Sequence, residues 1–224
     1  DALDIDEVHI SPYALREGVL HDLLGRLEHR DPRDTTVQAF RARYGVSTEQ
    51  VERVQRVALA GFDAIANDDL LPSIHRDLLR WAADLHEVGL GVSHSHYQEH
   101  SGYLVQESDM AGFSQQEQAF LSRLVRHHRR QIPSRYAGSL PTRLHEPLRL
   151  LLFCLRLACV LCRTRDDEAI PEIRLARDGH HLSLRLDPRW AMAHPLTLAD
   201  LDREREQLQV MGLHLDVSLG LDDN

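Results

Sequence analysis

The chain has 224 residues, of which 42% are hydrophobic and 27% charged, a composition that indicates a folded globular protein and excludes an intrinsically disordered one. Its formal net charge of -9 argues, as an average, against a polyanionic ligand. The charge is uneven, however, because the chain has no lysine and ten of its 26 arginines lie between residues 123 and 165, opposed only by Glu146.

The first thirty residues predict a strand and then a helix. Hydrophobic residues alternate over residues 3–10, which is typical of a strand. Ser11 and Pro12 then give an N-cap and a first helical turn, and the helical spacing continues to about residue 27. A lone strand needs a sheet to join, so the pattern predicts an N-terminal neighbour.

Helical periodicity and capping signals predict a series of helices in the middle of the chain. Gly45 is placed to stop one helix, and Ser73 to cap another. Capping boxes are predicted from Ser47 with Gln50 and from Ser114 with Glu117. The predicted ranges are 33–44, 48–66, 74–88, 96–107, 115–130 and 144–164.

The pattern changes to strand-like alternation after residue 166. Hydrophobic residues alternate on both sides of Asp178 and Gly179, which predicts a hairpin over about residues 173–186. Thr197 and Asp200 are placed to cap one more helix, and residues 213–219 alternate again. The predicted fold class is therefore mainly α, a helical bundle followed by a small α+β module of ββαβ order.

The most apolar segment, residues 148–162, is too short for a membrane span and contains Arg149 and Arg156. It predicts a buried helix. The three cysteines all lie in this segment, without the spacing of a disulfide framework or a zinc site. With no secretory leader visible, we expect a cytoplasmic protein that has neither a membrane nor a nucleic acid as a partner.

The predicted 115–130 helix divides into two faces when it is turned by 100° per residue. The apolar face holds Leu121, Leu124 and Val125, with His128 as a hydrogen-bonded core histidine. The opposite face carries Arg123, Arg126, His127 and Arg130, flanked by Arg129. Residues 123–143 contain no carboxylate, so this stripe predicts a site for an anion, although a solvated surface is the simpler interpretation.

A group of histidines superficially resembles a metal site, and the order of elements resembles the HD superfamily of metal phosphohydrolases. His86 matches the paired His-Asp position, but Glu87 replaces its aspartate. The first-histidine position falls near Phe62 and Asp63, and the final aspartate position holds residues 157–159, whose sequence is LAC. An incomplete ligand set predicts no bound metal. The degenerate HD positions are His86, Glu87, His94 and His100.

Four sequence strings, read together, resemble the exopolyphosphatase and guanosine pentaphosphate phosphohydrolase family. They are ALREGVL at residues 14–20, RWAA with LHEVG at 80–83 and 85–89, HSGY at 100–103, and VRHHRR at 125–130. Their order and spacing cover nearly the whole chain. His96 and the arginine-rich turn around Arg135 depart from the family pattern.

The resemblance implies a two-part enzyme that removes terminal phosphates from inorganic polyphosphate. An N-terminal actin-like half would carry the catalytic acid, the phosphate loops and Mg²⁺, and this chain would be the C-terminal half. The implied division is 1–28 for the closing strand and helix of the actin-like half, 29–165 for a degenerate HD-like helical domain, and 166–224 for the α+β module. We expect this part alone to be inactive and to need no cofactor.

The implied role of this part is to hold polyphosphate, an electrostatic task that suits an arginine-rich stripe. The predicted binding residues are Arg123, Arg126, His127, Arg129, Arg130, Arg135 and Arg143. Family resemblance also implies a homodimer. The alternatives left open are guanosine pentaphosphate hydrolysis, a metal-dependent HD phosphohydrolase, and a non-catalytic interaction or dimerisation module.

Overall fold

A computed structural model describes residues 31–66, 71–166 and 170–220 of the chain. The strand and helix predicted before residue 28 lie outside these ranges. The α-helices are α1 (Pro32–Tyr44), α2 (Thr48–Ile65), α3 (Ser73–Leu85), α4 (Tyr97–Glu107), α5 (Gln115–His127), α6 (His145–Leu161), α7 (Pro188–Ala193) and α8 (Pro195–Val210). The strands are β1 (Ile173–Asp178), β2 (His181–Leu186) and β3 (His214–Leu219). Short 3₁₀ helices cover Val88–Gly91 and Thr142–Leu144.

Local capping explains where several helices begin and end. Gly45 ends α1 in the left-handed region, with φ at 62°, where the absence of Cβ removes the steric penalty. The predicted capping box of Ser114 and Glu117 is present at the start of α5. Ser47 accepts a hydrogen bond from the Gln50 backbone, but the Gln50 side chain donates to the Cys162 carbonyl, so only half of the second predicted box forms.

Other boundaries differ from the predicted ones. The N-cap of α3 is Pro72, so Ser73 is the first helical residue and not the cap. Neither Thr197 nor Asp200 caps α8, which begins at Pro195, and the short helix α7 has no counterpart among the predicted elements. Both α7 and α8 start at a proline, whose fixed φ suits the first helical position.

The helix α6 lies at the centre of the molecule, as its apolar sequence predicts. It packs against α2, α3, α5 and α8, and residues 150–155 are all buried. In the part of the chain that the structure describes, no helix combines the length and the apolar character needed to cross a bilayer. The fold class is confirmed: a mainly helical body is followed by strand, strand, helix and strand.

The C-terminal sheet has the order β1-β2-β3. The hairpin pairs β1 with β2 antiparallel, and β2 pairs with β3 in parallel. A parallel pair needs a crossover connection, which α7 and α8 provide. The side chains of Leu182, Leu184 and Leu186 are buried beneath the sheet, and the alternate residues of β2 face solvent.

Replacing Gly61 with alanine is expected to stabilise the protein by about 0.5–1 kcal/mol, because alanine loses less backbone entropy than glycine inside a helix. A Cβ at Gly61 would lie 3.7 Å from the Cys154 sulfur, which is an ordinary contact. The matched comparison is Gly89→Ala, whose Cβ would lie 2.1 Å from the Tyr97 carbonyl oxygen. Urea unfolding should show a higher free energy of unfolding for Gly61→Ala and a lower one for Gly89→Ala. A lower free energy of unfolding in both variants would contradict the expectation.

Candidate functional site

A cleft of about 1050 Å³ opens where the ends of α3, α5 and α6 meet the start of α4 and the middle of α8. Its lining contains more arginines than carboxylates, so the cleft is cationic. The three acidic lining residues are Glu87, Asp200 and Glu204. The five arginines are Arg129, Arg130, Arg163, Arg165 and Arg203.

Two buried histidines, His86 and His128, line the cleft with their rings edge to face at a centroid distance of 5.4 Å. The Nδ1 atoms lie 2.7 Å from the Ala83 carbonyl and 2.6 Å from the Val125 carbonyl, respectively. A carbonyl only accepts, so Nδ1 carries the proton in both rings. Burial lowers the pKa of His86 and lowers the pKa of His128 well below its usual range. Both rings are therefore neutral at pH 7.

Tyr97 provides an aromatic surface for one of the cleft arginines. The guanidinium carbon of Arg129 lies 4.7 Å from the centre of the Tyr97 ring, which is a cation–π distance. The Tyr97 hydroxyl lies 3.5 Å from Nε2 of His128. Burial raises the pKa of Tyr97 to about 12. Tyr97 thus stays neutral and orients Arg129 without cancelling its charge.

The cleft arginines fall into two groups. Arg165 pairs with the buried Glu87, while Asp200 lies 2.5 Å from Arg163 and 3.0 Å from Arg203. Arg163 and Arg203 are 50% and 77% exposed, so their pairs with Asp200 are weak and an oxyanion can compete for them. Arg165 is 46% exposed, but its partner Glu87 is only 7% exposed, so that pair is costly to break. Arg129 and Arg130, by contrast, have no carboxylate partner among residues 31–66, 71–166 and 170–220.

The buried side chain of Arg156 ties the wall of the cleft together. Its nitrogens donate to the backbone carbonyls of His127 and Arg130 at 2.6 and 2.8 Å. Two further hydrogen bonds, of 2.7 and 2.9 Å, reach the Glu204 carboxylate on α8. One arginine therefore provides hydrogen-bond donors for the backbone carbonyls at the end of α5 and joins that end to α8.

Unusual backbone geometry is concentrated around the cleft. In the described residues, three non-glycine positions have positive φ: His96 at 54°, Arg130 at 64° and Arg165 at 58°. Arg130 and Arg165 line the cleft, and His96 precedes Tyr97. Such conformations cost on the order of 1 kcal/mol or more and tend to persist at functional sites. The bonds from Arg156 and from the Ile132 amide to Gln207 hold the Arg130 turn in place.

The predicted arginine stripe is not one continuous exposed face, which corrects the sequence interpretation. The helix α5 ends at His127, so Arg130 lies beyond it in a left-handed turn. His127 is buried instead of presented to solvent. Burial, aided by Arg123 and Arg126, lowers the pKa of His127 to about 4, so it is uncharged at neutral pH. His128 is a hydrogen-bonded core histidine, as predicted.

The structure separates the seven predicted binding residues. Arg129 and Arg130 lie in the cleft. Arg123 and Arg126 lie on α5 away from the cleft, where they pack against Gly138 and Gly102, respectively. The others lie apart from the cleft: His127 is buried, Arg135 is exposed in the segment after α5, and Arg143 donates to Gln116.

Three of the degenerate HD positions, His86, Glu87 and His94, meet at the cleft, whereas His100 does not line it. Over the described residues, no group of three or more histidine, cysteine or acidic side chains has a geometry that could hold a metal ion. The cleft lining combines five arginines with the neutral His86 and His128 and with three carboxylates.

Sequence reasoning missed four cleft residues that are arginines or contact one: Tyr97, Arg163, Arg165 and Arg203. The basic segment reaches Arg165, so Arg163 and Arg165 could have been found as the charged end of the apolar α6. Arg203 lies in an acidic part of the chain, and only the packing of α8 brings it to the cleft.

The family model and the curated relatives that match this chain point to the same protein family. The family model described as "Ppx/GppA phosphatase, domain III" matches residues 33–205. Three curated relatives are each named "Guanosine-5'-triphosphate,3'-diphosphate pyrophosphatase". The one from Pseudoalteromonas translucida is 30% identical over 97% of this chain and 44% of its own length. Those from Pseudoalteromonas atlantica and Vibrio parahaemolyticus are 31% and 30% identical, over 96% and 97% of this chain and 43% and 44% of their own lengths.

The chain thus spans a little under half the length of these curated relatives. The family model covers both the helical body and most of α8, and so includes all five cleft arginines. Together with the confirmed order of helices and strands, these matches show that the chain belongs to the Ppx/GppA phosphatase family and carries its domain III.

Proposed function

We propose that this chain is the C-terminal part of a phosphoanhydride hydrolase, and that its cleft binds inorganic polyphosphate. The observation that carries the proposal is the cationic cleft, in which Arg129 and Arg130 have no carboxylate partner within the described residues. A planar guanidinium donates two parallel hydrogen bonds to phosphate oxygens, so arginine suits this ligand.

Each group of cleft residues has its own role in the proposed binding. Arg129, oriented by Tyr97, and Arg130, held by the strained turn, meet the first phosphate groups. Arg163 and Arg203 then exchange their carboxylate partner Asp200 for phosphate oxygens, while Arg165 stays paired with the buried Glu87. The neutral His86 and His128 exclude water from the buried side. Hydrolysis itself, and the Mg²⁺ that assists it, belong in this proposal to an N-terminal actin-like half, and no step in the cleft involves a metal.

The domain boundaries, the oligomeric state, the cellular location and the inactivity of this part alone are also proposals. We propose divisions near residues 28 and 166, a homodimer, and a cytoplasmic enzyme in which this part alone releases no phosphate. The five cleft arginines come from both sides of residue 166, so the proposed site spans the helical domain and the α+β module.

Exchanging Arg129 and Arg130 for glutamine is expected to weaken polyphosphate binding by about 100-fold, because each charge-assisted hydrogen bond contributes about 1.5–3 kcal/mol. The slope of log affinity against log salt should fall by roughly 0.7 for each phosphate that is no longer neutralised. Binding of a labelled long polyphosphate, titrated at several salt concentrations, measures both quantities.

The matched control is Arg174→Gln with Arg185→Gln, which removes two exposed arginines on the outer face of the sheet, away from the cleft. The control should bind like the parent protein. Equal binding by both variants would remove the basis for the cleft site. A salt-dependent change in size without polyphosphate binding would instead favour an interaction module.

A second candidate ligand is guanosine pentaphosphate, which is favoured by the name that the curated relatives carry. Its phosphate groups offer the same chemistry to the arginines. Competition between this nucleotide and long polyphosphate decides between them: displacement by the nucleotide at equal phosphate concentration would favour the nucleotide, and failure to displace would favour polyphosphate.

A further inference from the structure

Asp200, on the cleft side of α8, holds two of the cleft arginines at once. One carboxylate oxygen lies 2.5 Å from Nη1 of Arg163, and the other lies 3.0 Å from Nη1 of Arg203. The carboxylate is largely buried, whereas both guanidinium groups are exposed. Carboxylate and phosphate oxygens accept the same charge-assisted hydrogen bonds from arginine. Asp200 therefore occupies the position between these two arginines that a phosphate group would take.

The arginines that Asp200 holds lie on a different part of the cleft wall from Arg129 and Arg130. The Gln207 side chain accepts a hydrogen bond from the Ile132 amide, which places the Arg130 turn beside the later part of α8. Asp200 lies seven residues before Gln207 on the cleft side of the same helix, a separation of about 10 Å along the helix axis. A ligand with several phosphate groups can therefore contact the two groups of arginines in succession.

Asp200 competes differently with a free phosphate and with a phosphate that belongs to a chain. A free phosphate group must displace the carboxylate unaided, and the displaced negative charge then remains close to the ligand and repels it. A phosphate within a chain that Arg129 and Arg130 already hold competes intramolecularly, at an effective concentration on the order of mM. An anchored chain therefore displaces Asp200 more readily than free phosphate does.

We propose that Asp200 determines the ligand specificity of the cleft as an internal anion, which keeps Arg163 and Arg203 closed to single phosphate groups. It yields to a phosphate chain that Arg129 and Arg130 have already anchored. This inference rests on the proposed function and deepens it, because it assigns a selective role to a carboxylate that donates nothing to a phosphate. Asp200 thus lowers the affinity for a long chain, but it prevents free phosphate from occupying the same arginines.

The test exchanges Asp200 for asparagine, which keeps the shape of the side chain and removes its charge. Titration calorimetry of the whole chain with pyrophosphate should give one site in the parent protein and two in Asp200→Asn. Long polyphosphate should bind the variant about tenfold more tightly, because two weak ion pairs no longer have to be broken. The slope of log affinity against log salt should become steeper by roughly 0.7 for the one negative charge removed from the site.

The matched control is Asp202→Asn, which removes the same charge from the same helix. Asp202 lies 3.3 Å from Arg205 and does not line the cleft. The control should bind pyrophosphate at one site and long polyphosphate with the affinity of the parent protein. Equal gains in Asp200→Asn and Asp202→Asn would indicate a general effect of charge and would overturn the proposal. Thermal unfolding checks that each variant folds, and Asp200→Ser replaces Asp200→Asn if the latter does not.

The cleft variant Arg129→Gln with Arg130→Gln separates this inference from the proposed function. Without its anchor, long polyphosphate should no longer displace Asp200. Adding Asp200→Asn to the cleft variant should restore part of the binding, because Arg163 and Arg203 become available. If the parent protein binds no polyphosphate, the proposed function and this inference fail together. If the parent protein binds and the cleft variant does not, but adding Asp200→Asn restores nothing, the proposed function stands and this inference alone is overturned.

Discussion

Replacing Arg156 with methionine is expected to lower the free energy of unfolding by about 3–5 kcal/mol, the largest loss that we predict for one residue. The side chain is 1% exposed, and its hydrogen bonds satisfy two backbone carbonyls and the Glu204 carboxylate. Methionine fills a similar volume but leaves all three acceptors without their donor. Chemical denaturation measured at pH 7 gives the loss directly.

The matched control is Arg163→Met, which removes another arginine that joins the end of α6 to α8. Arg163 is 50% exposed where it pairs with Asp200, so its removal should cost less than about 1 kcal/mol. The double exchange Arg156→Met with Glu204→Gln should recover part of the loss, because no unpaired carboxylate remains. Similar losses for Arg156→Met and Arg163→Met would show that burial does not govern these pairs.

Lowering the pH from 7 towards 4 is expected to destabilise the protein through its buried histidines. The pKa of His127 is lowered to about 4, chiefly by burial, so below pH 6.5 the unfolded chain binds a proton there that the folded chain does not. The contribution of His127 to the free energy of unfolding is therefore fully present above pH 6.5. It falls by about 1.4 kcal/mol per pH unit as the pH is lowered to about 4. The lowered pKa values of His86 and His128 act in the same direction.

Asp84 acts in the opposite direction, because burial raises its pKa to about 6 and the folded state then gains stability on protonation. Three buried histidines oppose this one carboxyl group, so the free energy of unfolding should fall as the pH is lowered. His127→Gln should reduce that slope, measured as unfolding free energy at pH 7, 6, 5 and 4.5. The exposed His180→Gln serves as control and should leave the slope unchanged. Parallel slopes for both variants would contradict the assignment.

Local sequence signals were reliable where local physics decides the structure. The box of Ser114 and Glu117, the stop at Gly45 and the alternation of β2 each depend on nearby atoms, and all are present. The predicted end of α5 was wrong by three residues. There the Arg156 side chain captures the carbonyls of His127 and Arg130, and the sequence of the helix does not contain that distant donor.

The site was less predictable than the fold because it is assembled from distant segments. Helical geometry placed Arg123, Arg126 and Arg130 on one face, but it could not show that Gly102 and Gly138 approach two of them. Glycines in other elements give no local sign of what will pack on them. Arg203 reaches the cleft from a helix some forty residues beyond α6, which only tertiary packing determines.

The attachment of α8 determines how the cleft can respond to a ligand. Its side chains Glu204 and Gln207 hold the end of α5, and the parallel pairing of β3 with β2 anchors the chain that follows it. Within the described residues, Arg156 of α6 also joins this wall to the helical body. Under the proposed function, a phosphate chain would meet a cross-linked wall, and the cleft would adapt to ligands of different length through the rotamers of its guanidinium groups.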